Sequence, residues 1–194
     1  MVIKQDQTTF HPIFTQNHQT IIDMRTIILS CMLGLVASTL FAQTPKEKQI
    51  AEWERAKVYT LEYLDTMPED GYAFKPVADI RSFAEQMDHL ADANFAFAAA
   101  ASGKKSPMEE PAEKMADQSK SAVTRVVMNS YDFTIDAIKS MSDEDFNKNV
   151  MLFGMNVKAG DALEKSFEHQ THHRGQTTIY IRLKGVTPPK ERLF

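Results

Sequence analysis

Apolar positions in residues 44–194 recur at helical spacing in four blocks, separated by stretches rich in Pro, Gly and charge. The first block opens at Thr44-Pro45-Lys46-Glu47, where Thr44 can cap, Pro45 suits the first helical position and Glu47 completes a capping box. Ile50, Trp53, Val58, Leu61 and Leu64 follow at roughly helical intervals, and Pro68 and Gly71 stop the helix. Ser82-Phe83-Ala84-Glu85 is a second capping box, opening a helix that carries Phe83, Met87, Leu90 and Phe97 and fades near Ala101 and Gly103. Residues 102–117 hold a glycine, two prolines and many charges, and read as a loop. The third block runs from about Gln118 to Met141 on the stripe Val123, Val127, Tyr131, Ile135 and Ile138.

Between the third and fourth blocks the period lapses. Ser142-Asp143-Glu144-Asp145 begins a short turn, and Asn147 to Gly160 is irregular, with Val150 to Phe153 either a short strand or a buried loop. The fourth block has capping-box spacing at Asp161-Ala162-Leu163-Glu164, with Asp161 as the cap. It ends at Lys184, ahead of Gly185 and Pro188-Pro189. No segment alternates strictly for long, and there is no internal repeat, glycine-rich phosphate loop or Cys-x-x-Cys. The expected fold class is all-α, and four amphipathic helices of this length make a four-helix bundle the simplest architecture.

Residues 1–42 are expected to be a leader and residues 43–194 the bundle domain. Residues 1–23 are polar and without period, and read as a gene-model extension. Met24-Arg25 is a short basic start, and Ile27 to Ala42 carries no charge. That run is short for a bilayer span but suits the apolar region of a signal peptide cleaved after Ala42. Export to the periplasm or medium follows as an expectation. Leu29-Ser30-Cys31 resembles a lipidation box, but the apolar run continues beyond Cys31 where a lipoprotein has a polar tether, so lipidation is the less favoured reading.

Composition adds exclusions. The formal net charge is −4, from 22 basic and 26 acidic residues, and shows no basic footprint for nucleic acid. The single cysteine, Cys31, lies in the leader. A metal site in the mature chain must therefore use imidazole, carboxylate or amide ligands, and any thiol must arrive with a substrate or cofactor.

The chemistry concentrates in the histidines. His11 and His18 fall in the leader; His89 lies on the second helix and His169, His172 and His173 on the fourth. Ala162, Ser166, His169, His173, Gln176 and Tyr180 are spaced 4, 3, 4, 3, 4 and share one seam. His169 and His173 then stand ~6 Å apart along the axis, in position to chelate one ion. Ser82, Gln86, His89, Ala93, Ala96 and Ala100 repeat the rhythm on the second helix, with small neighbours around the imidazole. His172 falls off the seam, as a surface or rim residue. Spacing alone leaves open the alternative of hydrogen-bonded core histidines without a metal.

The string His169-x-x-x-His173-Arg174-Gly175-Gln176, followed by Tyr180, Arg182-Leu183-Lys184-Gly185-Val186 and Pro188-Pro189, resembles the last helix of the DinB-like superfamily. Ser82 through His89-Leu90-Ala91, ahead of an Ala-rich stretch, resembles its second helix. The resemblance covers roughly residues 46–190. It implies an up-down-down-up four-helix bundle and a divalent metal ion held by His89, His169 and His173. Zn or Ni suits such ligands best, with Fe, Mn or Cu as alternatives. It also implies thiol-dependent transferases or isomerases among the relatives.

Two functional classes follow. In the first the protein is a metal-dependent enzyme, a transferase or hydrolase in which the three-His site activates a thiol or water against a small molecule. Gln176 and Tyr180 are its candidate catalytic side chains, Gln176 to orient the nucleophile or substrate and Tyr180 to donate a proton or cap the cavity. Both also suit plain structural roles. In the second class the protein is a non-catalytic exported binder of metal or a small ligand. Arg174 is expected to form a salt bridge away from the site, and Glu85, Asp88 and Asp92 to be solvated. No membrane span is expected in the mature chain, and a homodimer is left open.

Overall fold

The computed structural model describes Ile27 and residues 44–194. The leader, its cleavage point and Cys31 lie outside the described residues. Among those residues no helix is long and apolar enough to cross a membrane.

Four long helices form: α1 (Pro45–Thr66), α2 (Phe83–Ser102), α3 (Lys120–Ser140) and α4 (Ala159–Leu183). Their starts are mostly set by local chemistry. Thr44 and Ser82 each make both bonds of a capping box, with Glu47 and Glu85. Ser119 caps α3 by accepting from the N–H of Ala122. Met67, ahead of Pro68, turns extended and ends α1, as a residue before proline must. Gly103 (φ 72°) and Gly185 (φ 75°) take the left-handed positions that close α2 and α4. Ser82→Ala should cost about 1 kcal/mol, read as a lower midpoint in thermal or urea unfolding, because it orphans the N–H of Glu85.

Directions follow from named contacts. Lys46 reaches the carbonyls of Lys139 and Met141 while Lys120 reaches those of Asp65 and Met67, so α1 and α3 are antiparallel. Trp53 packs on Phe167 and Tyr63 bonds Thr178, so α1 and α4 are parallel. Asn94 bonds Ser130 and Lys104 reaches the carbonyl of Asp136, making α2 parallel to α3. Tyr180 meets Arg81 and His169 meets Phe97, making α4 antiparallel to α2. The order is up-down-down-up, an all-α four-helix bundle with α1 diagonal to α2 and α3 diagonal to α4.

The core includes Trp53, Leu64, Phe83, Met87, Leu90, Val127, Ile138, Leu163 and Ile181, all essentially inaccessible. Every apolar position expected on the α2 and α3 stripes is buried. On α1 the stripe is rotated: Val58 is 48% exposed, and Ala56, Thr60 and Tyr63 face inward instead. The reason is a polar network at the centre. Thr60 Oγ1 lies 2.7 Å from the hydroxyl of Tyr131, which donates to Gln170 Oε1 (2.8 Å). Arg174 Nη1 donates to the same oxygen (2.8 Å) and to Thr60 (3.3 Å), with its guanidinium over the ring of Tyr59. The expected salt bridge of Arg174 is therefore replaced by burial among neutral acceptors and an aromatic face.

Two connections differ from expectation. Residues 149–158 form an antiparallel hairpin, β1 (Asn149–Leu152) and β2 (Met155–Lys158): of the two readings of Val150 to Phe153 the short strand holds, and the second strand replaces irregular chain. Its two-residue turn has positive φ at both Phe153 (48°) and Gly154 (81°), the pattern that matches strand twist in tight hairpins. The second strand runs straight into α4, which starts at Ala159 with Lys158 in the cap position and no side-chain cap bond. Asp161 lies in the first turn, where its charge suits the helix dipole, and is not the cap. Within the 103–119 connection, Ala112–Lys114 makes a 3-10 turn. Asp92 pins this turn to α2 by accepting from the N–H groups of Ala112 and Glu113.

Candidate metal centre

The two antiparallel seams of α2 and α4 bring His89, His169 and His173 together. Ring centroids are 4.3 Å apart for His169 and His173, 4.6 Å for His89 and His173, and 5.2 Å for His89 and His169. One nitrogen from each ring lies within 4.8 Å of the other two. Three nitrogens each 2.0–2.1 Å from one ion would stand about 3.4 Å apart in tetrahedral geometry, a contraction within reach of small side-chain rotations.

The rings are partly withdrawn from water, His173 most of all. Burial is the main cause that lowers all three pKa values, with repulsion between neighbouring cations second for His169 and His173. His169 is pushed down to about 4 and His173 to about 3. At neutral pH the rings are uncharged, the state in which imidazole binds metal. Nδ1 of His169 is buried without any hydrogen-bond partner, which costs free energy unless a cation or other partner satisfies it. Donor type, spacing, neutrality and the orphaned nitrogen together fit a divalent ion.

Polar neighbours hold two of the rings. Gln86, one turn before His89 on the same seam, places its amide 3.0 Å from Nδ1 of His173. The atom facing Nδ1 is the amide nitrogen Nε2, which donates; turning the amide over would instead let its oxygen accept Nδ1–H and leave Nε2 of His173 with a free lone pair. Glu113 Oε1 lies 3.1 Å from Nδ1 of His89 and accepts from Arg81 Nε at 2.6 Å. Arg81 Nη2 also comes within 3.2 Å of Nδ1, but a guanidinium only donates and a carboxylate only accepts. Nδ1–H directed at Glu113 is the state that frees Nε2 for coordination, with Arg81 neutralising the carboxylate. Carboxylate–imidazole pairs of this kind orient the ligands of metal sites.

Neither Gln176 nor Tyr180 hydrogen-bonds to the three rings. Gln176 is exposed, and its amide nitrogen is 2.9 Å from Nε2 of the exposed His172. Tyr180 is buried and donates its hydroxyl to the carbonyl of Arg81 at 2.9 Å. Both line a cleft of about 850 Å³ together with Arg81, Gln86 and Glu113. Of the acids of α2, Asp88 and Asp92 are not solvated as expected, whereas the Glu85 side chain keeps 38% of its surface exposed. Asp88 is buried, which raises its carboxyl to about 7, Asp92 is half-buried under the 3-10 turn, and Glu85 is held in the capping box.

Sequence reasoning missed Arg81, Glu113 and the role of Gln86. Gln86 stands on the predicted seam, so its position was visible. Glu113 is one of several acids in a connection read as loop, and nothing local marks it as the one that reaches His89.

The sequence model of the DinB family matches residues 41–192. YjoA of Bacillus subtilis, an uncharacterized protein, is 25% identical over 133 residues, which make up 66% of this chain and 83% of that protein. A DinB-like protein from Bacillus cereus has a solved structure with a TM-score of 0.65 at 19% identity, covering 74% of this chain and 95% of that one. The mycothiol-dependent maleylpyruvate isomerase is similar at a TM-score of 0.54 and 14% identity, over 68% of this chain and 60% of the isomerase. At these identities the structural likenesses speak for the fold. Taken with the family match over most of its length, they place the three-histidine bundle plainly: this chain belongs to the DinB family.

Proposed function

We propose that this protein is an exported metal-dependent enzyme that uses a thiol nucleophile on a small molecule, with His89, His169 and His173 as the metal ligands. The observation that carries the reading is the convergence of three neutral imidazoles, one with an orphaned buried nitrogen. Three protein ligands leave a coordination position open, the arrangement of catalytic rather than structural sites. A divalent cation there, Zn or Ni before Fe, Mn or Cu, supplies Lewis acidity that lowers the pKa of a thiol or water it binds.

The choice of thiol over water rests on the surrounding side chains. Glu113 is engaged by His89 and Arg81, and Asp92 by two backbone N–H groups, so each already serves as the acceptor of other protein groups. Water, with a pKa near ~16, needs more help to ionise than a thiol near ~8.5. The chain keeps no cysteine in residues 44–194, so the thiol comes with the substrate pair. The name of the similar mycothiol-dependent isomerase supports the same class. In this reading Gln86 and Glu113 hold the rings, and Gln176 borders the cleft by which substrate arrives.

Elemental analysis of the purified protein should give one divalent metal per chain. Metal-loaded protein should then transfer or isomerise substrate only when a low-molecular-weight thiol is added. Metal-dependent turnover without thiol would favour hydrolysis, and bound metal without turnover a binding protein. Glu113→Gln should weaken metal affinity about 10- to 100-fold in a chelator competition, because Nδ1–H of His89 loses its charged acceptor. Export predicts a mature chain beginning at or near Gln43, and intact-mass measurement from the native host checks it.

A further inference from the structure

A second cavity, of about 500 Å³, opens beside the three histidines and is walled differently from the polar cleft. His89 and His169 are part of its lining. Ala93, Ala96 and Phe97 of α2, Met108 of the 103–119 connection and Phe153 of the hairpin tip form its walls. Its volume is that of a small-ligand site. The polar groups in the wall are already satisfied: Asp92 accepts from Ala112 and Glu113, and Ser106 accepts from the N–H of Met108. Glu109 and Glu110 are exposed at its edge.

Phe153 is the unusual member. It is the one described residue other than glycine with positive φ. A bulky side chain is a real outlier in that region, where Asn, Asp or Gly makes the same turn without strain. The strained backbone holds the ring edge-on to Phe97, at 5.3 Å between centroids and 83° between planes, although Phe153 itself is 68% exposed. Phe97 in turn lies 6.1 Å from the ring of His169. An aromatic wall thus runs from the hairpin tip to the candidate ligand.

We propose that this cavity binds the apolar arm of the substrate, an uncharged alkyl or aryl chain attached to the polar head that reaches the three imidazoles. The assignment rests on the metal reading above for the head, and on the cavity alone for the arm. The acidic rim selects against arms that end in a carboxylate. The favoured substrate class is therefore a hydrophobic, uncharged or cationic small molecule rather than a short polar acid.

Zinc-loaded full-length protein should be titrated calorimetrically with alkyl hydroxamates, whose head binds metal. Affinity should rise about three- to fourfold per methylene from acetohydroxamate to hexanohydroxamate. A six-carbon hydroxamate ending in a carboxylate should bind more weakly than its neutral counterpart. Ala96→Trp should flatten the chain-length dependence, with affinity no longer rising from acetohydroxamate to hexanohydroxamate. Phe153→Asn should reduce the gain with chain length while the melting temperature holds or rises, since the turn is relieved of strain. Equal affinity for all chain lengths, with acetohydroxamate still bound, would overturn the cavity assignment and spare the metal site. If zinc or the hydroxamate head fails to bind, the metal reading falls, and butylbenzene binding to the protein as purified reads the cavity alone. Binding that Ala96→Trp abolishes would uphold the apolar site; no binding would overturn it.

Discussion

Replacing His173 by Ala should lower zinc affinity by more than ~100-fold, while His172→Ala should leave it nearly unchanged. The two residues are adjacent in sequence but differ in every relevant respect. His173 is buried, its ring 4.3 and 4.6 Å from those of His169 and His89, and its Nδ1 is held by Gln86. His172 is exposed and meets Gln176. Loss of groups that merely orient a ligand costs about 10- to 100-fold in affinity, and loss of the ligand itself exceeds that. The fold should survive, because the bundle buries a core far larger than the three-ring cluster and does not depend on metal as a zinc finger does. Competition against a chromogenic chelator, with thermal melting of both variants, measures the difference. Equal loss in both would reassign the ligand pair, and full retention in both would remove the metal centre altogether.

The largest effect on stability is expected at Gln170, which has no exposed surface. Its Oε1 accepts from both the Tyr131 hydroxyl and the Arg174 guanidinium. Gln170→Leu keeps the volume but removes the shared acceptor, leaving the Tyr131 hydroxyl and the Arg174 guanidinium to compete for Thr60 Oγ1. At roughly 1 kcal/mol for the lost neutral bond and ~1.5–3 kcal/mol for the one from the charged donor, the loss should be about 2–4 kcal/mol. That is a large fraction of the ~5–15 kcal/mol that holds a typical domain together. It should appear as a fall of about 5–15 °C in melting temperature. Adding Arg174→Met should give back part of the loss, because no buried cation then competes with Tyr131 for Thr60. A double variant as unstable as the sum of the singles would mean that Gln170 and Arg174 are not coupled.

The network that makes Gln170 critical was hidden in the sequence for the same reason that Val58 misled. An apolar stripe is read from hydrophobicity, and Thr60, Gln170 and Arg174 carry none. The α1 helix faces the core through Ala56, Thr60 and Tyr63, so the polar network displaced Val58 to the surface. Asp161 misled in the opposite way. It stands at capping-box spacing from Glu164, but β2 delivers the chain to Ala159 already in register, with the N–H of Ala159 donating to the carbonyl of Lys148. The helix therefore starts before the cap signal. Of the hairpin only the first strand was visible, as one of two readings of Val150 to Phe153; its pairing was obscured because the strands have only four residues each and the turn carries Phe where Asn or Asp is expected.

What the sequence by itself determined is what depends on neighbours a few residues apart. The boundaries of the first three helices, the stripes of α2 and α3, and the register that puts His169 and His173 on one seam with His172 off it are all consequences of a 3.6-residue turn and its end groups. The meeting of His89 with that pair was left open by spacing and followed only from the resemblance to the DinB-like superfamily. The tertiary structure alone decided which side chains serve the imidazoles and what lies beside them. Glu113 reaches His89 only because Asp92 pins a turn from a connection without helical period. Phe153 walls a cavity only because a hairpin projects its tip past Phe97. Such contacts join segments tens of residues apart, and no local propensity or spacing encodes which segments will meet.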